Sequence, residues 1–216
     1  PLAAAALSAA EFVVRSVVSI TEMQELAEGE RRRGRRVAVV PTMGYLHEGH
    51  VSLIRRARAL ADTVVTTIFV NPLQFGPGED FERYPRDLER DRMVAGDAAT
   101  DVLFAPAAQE MVPPGFKTSV DVEGVSTVLE GAFRPGHFRG VATIVMKLLH
   151  LTKPHAAVFG QKDAQQIFIV QTMVKDLNLD VEIITVPTVR EQDGLAMSSR
   201  NVYLTPDERE RAVAIW

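Results

Sequence analysis

The chain has 216 residues, of which 46% are hydrophobic and 24% charged, enough apolar side chain to bury one sizeable core. Its 24 basic and 28 acidic residues give a net charge of −4, so there is no global basic field to hold nucleic acid. With no cysteine, a disulfide framework and a thiolate metal site are both excluded.

Residues 1–12 are Ala-rich and read as a flexible lead-in. Glu11 and Arg15 break the apolar run before it reaches the length of a signal peptide or a membrane span, so the cytoplasm is the expected compartment. Phe12 to Val18 predicts a short strand. Thr21 then reads as a helix N-cap with Gln24 as its capping-box partner, for a helix running to about Arg33. The arginine run from Arg31 to Arg36 falls at the end of that helix. A solvated, dipole-compensating edge accounts for it better than a nucleic-acid patch does.

Val37 to Val40 is a short apolar run that predicts a buried strand ending at Pro41, which cannot donate to a sheet ladder. Pro41 to His50 reads Pro-Thr-Met-Gly-Tyr-Leu-His-Glu-Gly-His. Beyond it Val51, Leu53, Ile54, Ala57 and Leu60 recur at helical spacing, so a helix starts near Gly49. Strand, glycine-bearing turn and helix in that order aim free backbone N–H groups at the C-terminal edge of a sheet, where a phosphate binds. His47 and His50, three apart, can face one side of the first turn and meet anionic oxygens.

Thr63 to Val70 is a β-branched run of the kind buried on both faces of a parallel sheet, and it stops at Asn71-Pro72-Leu73-Gln74. Asn71 and Gln74 either tie down that turn or face a ligand. A helix over about Arg86 to Ala95 and a strand over Asp101 to Phe104 continue the alternation. Asp80, Asp87, Glu89 and Asp91 are expected on solvated faces. Gly115 to Asp121 suggests a further strand. Leu129 to Gly140 then crowds Gly, Pro, Arg and His before an apolar helix from Val141 to Leu151, as functional loops do.

Ala156 to Phe159 predicts a strand that runs into Gly160-Gln161-Lys162-Asp163, a second strand-to-helix switch with a lysine beside the helix start. Ile167 to Met173 is the apolar face of that helix, and Val181 to Val186 is the last strand. Ser198 and Ser199, followed by Arg200, make a phosphate clamp or a helix cap with a surface arginine. Pro206 opens a final helix. The alternation argues an α/β fold with a doubly wound, Rossmann-like parallel sheet, and the candidate stretches all fall at proposed strand ends.

The motifs at 41–50, Phe69 to Phe75, Tyr84 to Arg86, Leu129 to Gly131 with Arg134 and His137, Phe159 to Asp163 with Gln165 and Gln166, and Asp193 to Asn201 together resemble the pantoate–β-alanine ligase (pantothenate synthetase) family. The resemblance spans about residues 37 to 204. It implies a nucleotidyltransferase that joins pantoate and β-alanine through a pantoyl adenylate, with ATP and Mg²⁺, releasing AMP and pyrophosphate. By the same resemblance His47, His50, Lys162, Ser198 and Arg200 carry the chemistry. Met43, Gly160, Asp163, Met197 and Ser199 join them in holding ATP. Gln74 and Gln166 hold pantoate, and Asn71, Glu130 and Arg134 line the cavity. Mg²⁺ is expected chiefly on the ATP phosphates, with Asp91 the only protein contributor indicated. The resemblance also implies a homodimer, small-molecule partners only, and a division into an ATP- and pantoate-binding domain at 13–187 and a hinge with the first helix of a truncated C-terminal lid domain at 188–216.

Overall fold

The computed structural model describes residues 14–215, so the expected lead-in and the first two residues of the strand placed at Phe12 to Val18 lie outside the described residues. The elements run β1 (Arg15–Val17), α1 (Ile20–Arg32), β2 (Val37–Thr42), α2 (Glu48–Arg58), β3 (Thr63–Ile68), α3 (Leu88–Asp97), β4 (Val102–Phe104), α4 (Ala108–Met111), α5 (Glu130–Phe133), α6 (His137–Thr152), β5 (Ala156–Gly160), α7 (Ala164–Asp176), β6 (Glu182–Val186) and α8 (Pro206–Ala212). The six strands form one sheet in the order β1-β4-β3-β2-β5-β6, and every pair is parallel.

Period-two alternation in β2 explains why helices cover both faces. Val37 and Val39 join Met23, Phe138, Val141, Val145 and Val170 of α1, α6 and α7, whereas Ala38 and Val40 join Leu46, Ile54, Ala57 and Ala95 on the α2 and α3 side. The doubly wound expectation is therefore met. The chain winds outward from β2 through β3 to β4, then returns to place β5 on the other flank of β2. That reversal is a topological switch point, and it opens a crevice beyond the C-terminal ends of β2 and β5. Among the described residues no helix is long and apolar enough to cross a membrane.

Several local expectations need correction. Helix α1 is capped two residues earlier than expected, by Ser19, whose hydroxyl accepts from the Glu22 amide. Pro41 does not end β2, because the ladder continues through Pro41 opposite Thr67 to Thr42 opposite Ile68. No strand forms over 115–121: the Val120 amide donates to Thr143 and Arg139 donates to Ser119, so α6 side chains satisfy this segment. Helix α6 starts at His137 rather than Val141. The arginine run is an ion-paired edge, with Arg32 on Glu28, Arg33 and Arg35 on Glu30, and Arg36 near Glu182.

Candidate active site

The turn between β2 and α2 is built by three constraints. Gly44 has φ +85°, and a β-carbon there would press on the Asp91 carboxylate and on Ile68. Tyr45, at φ +51°, follows in the left-handed region. Asp91 reaches back from the first turn of α3 to accept from the Tyr45 and Leu46 amides, each at 2.7 Å. A carboxylate 1% exposed, with both oxygens accepting from consecutive amides, clamps the turn. Asp91 is thus not on a solvated face, and it does not line the cavity that gathers the other candidates. Among the described residues no cluster of three or more His, Asp or Glu could hold a metal.

His47 caps α2. Its Nδ1 accepts from the Gly49 amide at 3.1 Å, and the His50 Nδ1 accepts from the His47 amide at 3.2 Å, a reciprocal capping box made of two imidazoles. Gly49 is required because a β-carbon would collide with the His47 ring. A neutral imidazole that accepts at Nδ1 carries its proton on Nε2. Burial keeps both rings neutral: it pulls His47 down to about 4, helped by Lys162 and Arg90, and His50 down to about 3, helped by His47 and Lys162. Their centroids lie 4.1 Å apart. The turn therefore presents two uncharged N–H donors side by side at the start of a helix.

Around this pair the crevice gathers Met43, Asn71, Gln74, Glu130, Arg134, Gly160, Lys162, Asp163, Gln166, Met197, Ser198, Ser199 and Arg200, every candidate site residue except Asp91. Its floor is apolar, from Phe138, Val141, Ile144, Val145 and Leu148 of α6 and Phe159 of β5. The individual side chains have distinct duties. Asn71 is 2% exposed and ties its own turn, donating to Gly140 and to the Gln74 side-chain oxygen and accepting from Leu73. The Gln74 amide nitrogen reaches the Met43 sulfur at 3.4 Å. Lys162 pairs with Asp163 at 3.0 Å, and its side chain is 40% exposed. Ser198 caps the turn that carries Arg200, and the buried Ser199 hydroxyl donates to the Tyr45 carbonyl at 3.1 Å, fixing this segment to the histidine turn. Asp80, expected on a solvated face, instead meets Arg200 through two bonds of 2.8 and 2.9 Å, and Glu79, which sequence reasoning did not single out, meets Arg134 through two of 2.8 and 2.6 Å. Their signal was an acidic pair in a Gly- and Pro-rich loop just past a strand end.

The model of the pantoate-beta-alanine ligase family matches residues 15–216. The chain belongs to that family. It is 58% identical over 202 residues to the pantothenate synthetase of Acetivibrio thermocellus, covering 94% of this chain and 72% of that one, and 57% identical over 203 residues to that of Thermotoga neapolitana, with the same shares. The crystal structure of pantothenate synthetase from Thermus thermophilus superposes with a TM-score of 0.89 at 53% identity, over 94% of this chain and 72% of that one. The pantoate-beta-alanine ligase of Francisella tularensis, solved in complex with beta-gamma ATP and beta-alanine, superposes with a TM-score of 0.88 at 37% identity, over 94% and 77%. The crevice beyond β2 and β5 is thus the candidate active site of a ligase of pantothenate biosynthesis.

Proposed function

We propose that this chain activates pantoate with ATP to form pantoyl adenylate and pyrophosphate, and then transfers the pantoyl group to β-alanine, releasing AMP. In the first step a pantoate carboxylate oxygen bonds to the α-phosphorus, and the bond from that phosphorus to the oxygen bridging the β-phosphate breaks. In the second, the β-alanine amine attacks the acyl carbon, the bond to AMP breaks, and the amine gives up a proton. Negative charge builds on phosphate oxygens in the first step, so preplaced donors are what the reaction needs. The observation that carries this reading is the pair of neutral imidazoles, His47 and His50, each left with an Nε2 proton by the reciprocal Nδ1 bonds.

In this reading His47 and His50 donate to the α- and β-phosphates, while Lys162, Ser198 and the open edge of Arg200 take the departing pyrophosphate. Met43, Gly160, Asp163, Met197 and Ser199 hold the nucleoside end. Gln74 and Gln166 read the hydroxyls and carboxylate of pantoate, whose branched carbon suits the apolar floor formed by α6. Mg²⁺ arrives on the ATP phosphates as their counter-ion, which agrees with the way Asp91 is used by backbone amides. Residues 188–216 serve as the hinge and first helix of a lid. Within that segment Arg209 of α8 pairs with Glu191 and Asp193 at 2.6 and 2.8 Å. A cytoplasmic homodimer belongs to the same reading.

The test is pantoate-dependent release of pyrophosphate from ATP. His47→Ala and His50→Ala are each expected to slow it about 10²- to 10³-fold, the loss of one preorganised donor. Near-normal release by both variants would remove the histidines from the mechanism.

A further inference from the structure

Arg134 and Arg200 both line the cavity, and both are bound by carboxylates that are neighbours in sequence. A full count of their donors separates the two. Arg134 gives Nε and Nη2 to Glu79, Nη1 to Glu130, Nη2 also to the Gln74 carbonyl at 3.4 Å, and its Nη1 lies 3.2 Å from the His137 Nε2. The His137 Nδ1 meets the same Gln74 carbonyl at 2.8 Å, so that ring donates to Gln74 through Nδ1 and accepts from Arg134 through Nε2. No donor of Arg134 remains for a ligand, and the guanidinium is a hub that fixes the Gln74 backbone. Arg200 is different: Asp80 takes only Nε and Nη2, and Nη1 has no protein hydrogen bond among the described residues. The guanidinium carbon also lies 5.3 Å from the Tyr84 ring centroid and 5.9 Å from that of Phe75.

We propose that Glu79 and Asp80 are positioning residues that serve different substrates: Asp80 aims the open edge of Arg200 at the triphosphate, and Glu79, through Arg134 and His137, sets Gln74 for pantoate. The proposal rests on the ATP-and-pantoate reading of the cavity. Neither carboxylate needs to touch a ligand, since each acts through a guanidinium whose planar fork it fills from one side. The side chains of Glu79 and Asp80 are 25% and 16% exposed, so both pairs are shielded enough to hold one geometry. A loop that merely closed the cavity would need one such pair, and its loss would disturb both ligands alike.

The experiment is titration calorimetry of the purified chain with ATP and, separately, with pantoate, for wild type, Asp80→Asn, Asp80→Glu, Glu79→Gln and Glu79→Asp. Asp80→Asn is expected to weaken ATP about tenfold and leave pantoate within about twofold, with Asp80→Glu recovering part of the loss. Glu79→Gln is expected to give the converse pattern, with Glu79→Asp recovering part of the pantoate affinity. Wild type that binds both ligands, with variants that weaken both equally or neither, overturns this inference and leaves the site reading intact. Wild type that binds neither ligand overturns the site reading and this inference with it.

Discussion

Acidification tests the histidine pair most directly. Burial holds His47 at about 4 and His50 at about 3, against an ordinary 6.5. Between those values and 6.5 the unfolded chain binds protons at both rings and the native chain does not, so stability falls as the pH drops through this window. The loss begins near 6.5 and is complete near 4 for His47 and near 3 for His50. At pH 5 each unfolded ring lies about 1.5 units below its midpoint while the native ring stays neutral, which costs about 2 kcal/mol per ring at about 1.36 kcal/mol per unit. Urea unfolding at pH 7 and pH 5 is expected to show wild type losing about 4 kcal/mol more than His47→Asn/His50→Asn. Asparagine keeps an acceptor near the Nδ1 position while removing the titration. Nitrogen-15 shifts of the two rings should also report the Nε2-protonated tautomer down to pH 5. A ring midpoint near 6.5, or equal losses in wild type and the double variant, would refute the reasoning.

Asp91→Asn replaces an acceptor with an amide that must face a backbone N–H, so it is expected to cost about 2–4 kcal/mol in urea unfolding and to slow pyrophosphate release by loosening the histidine turn. Gly140→Ala places a β-carbon against the Leu73 carbonyl, forcing α6 away from the Asn71 turn, and is expected to destabilise by about 1–3 kcal/mol by the same measurement. Gln74→Ala and Gln166→Ala are expected to weaken pantoate in calorimetry while ATP stays within about threefold, because neither side chain is assigned to the triphosphate; equal loss of both ligands would reject that assignment.

What was legible in the sequence was what local pattern controls. Thr63 to Ile68 is buried on both faces of the sheet apart from its last residue, so its β-branched run could be little else. The histidine turn was readable because Gly44 and Gly49 are demanded by contacts within or beside the turn itself. Thr21 with Gln24 was a valid capping pattern, but the helix starts two residues earlier, where the Ser19 hydroxyl accepts from the Glu22 amide. The failure at 115–121 has a non-local cause: its partners are Thr143 and Arg139 on a helix rather than a neighbouring strand. Asp91 and the Glu79–Asp80 pair were illegible because their partners lie far along the chain, 46 residues away for Tyr45, 55 for Arg134 and 120 for Arg200.

The charge balance of the cavity follows from the same long-range pairs and bears on how it handles a polyanion. A chain of net charge −4 cannot attract ATP by its overall field. Nor is the crevice a reservoir of free cations: Arg134 is committed to Glu79 and Glu130, half of Arg200 to Asp80, and Lys162 lies 3.0 Å from Asp163. The two histidines are held neutral at the wall of the same space. In the proposed reading, recognition there falls to oriented donors, the Nε2 protons, the α2 amides, a serine hydroxyl and one open guanidinium edge. Their directions are set by Gly49, Asp91, Ser199 and Asp80 before any ligand arrives. In the proposed adenylation, donors fixed in advance need little reorganisation as charge moves from attacking carboxylate to departing pyrophosphate, and above an apolar floor they act in a weaker dielectric than water. A neutral imidazole can occupy that position without the desolvation cost of an imidazolium, which is the physical reason for a buried His-x-x-His pair where a surface would use arginine.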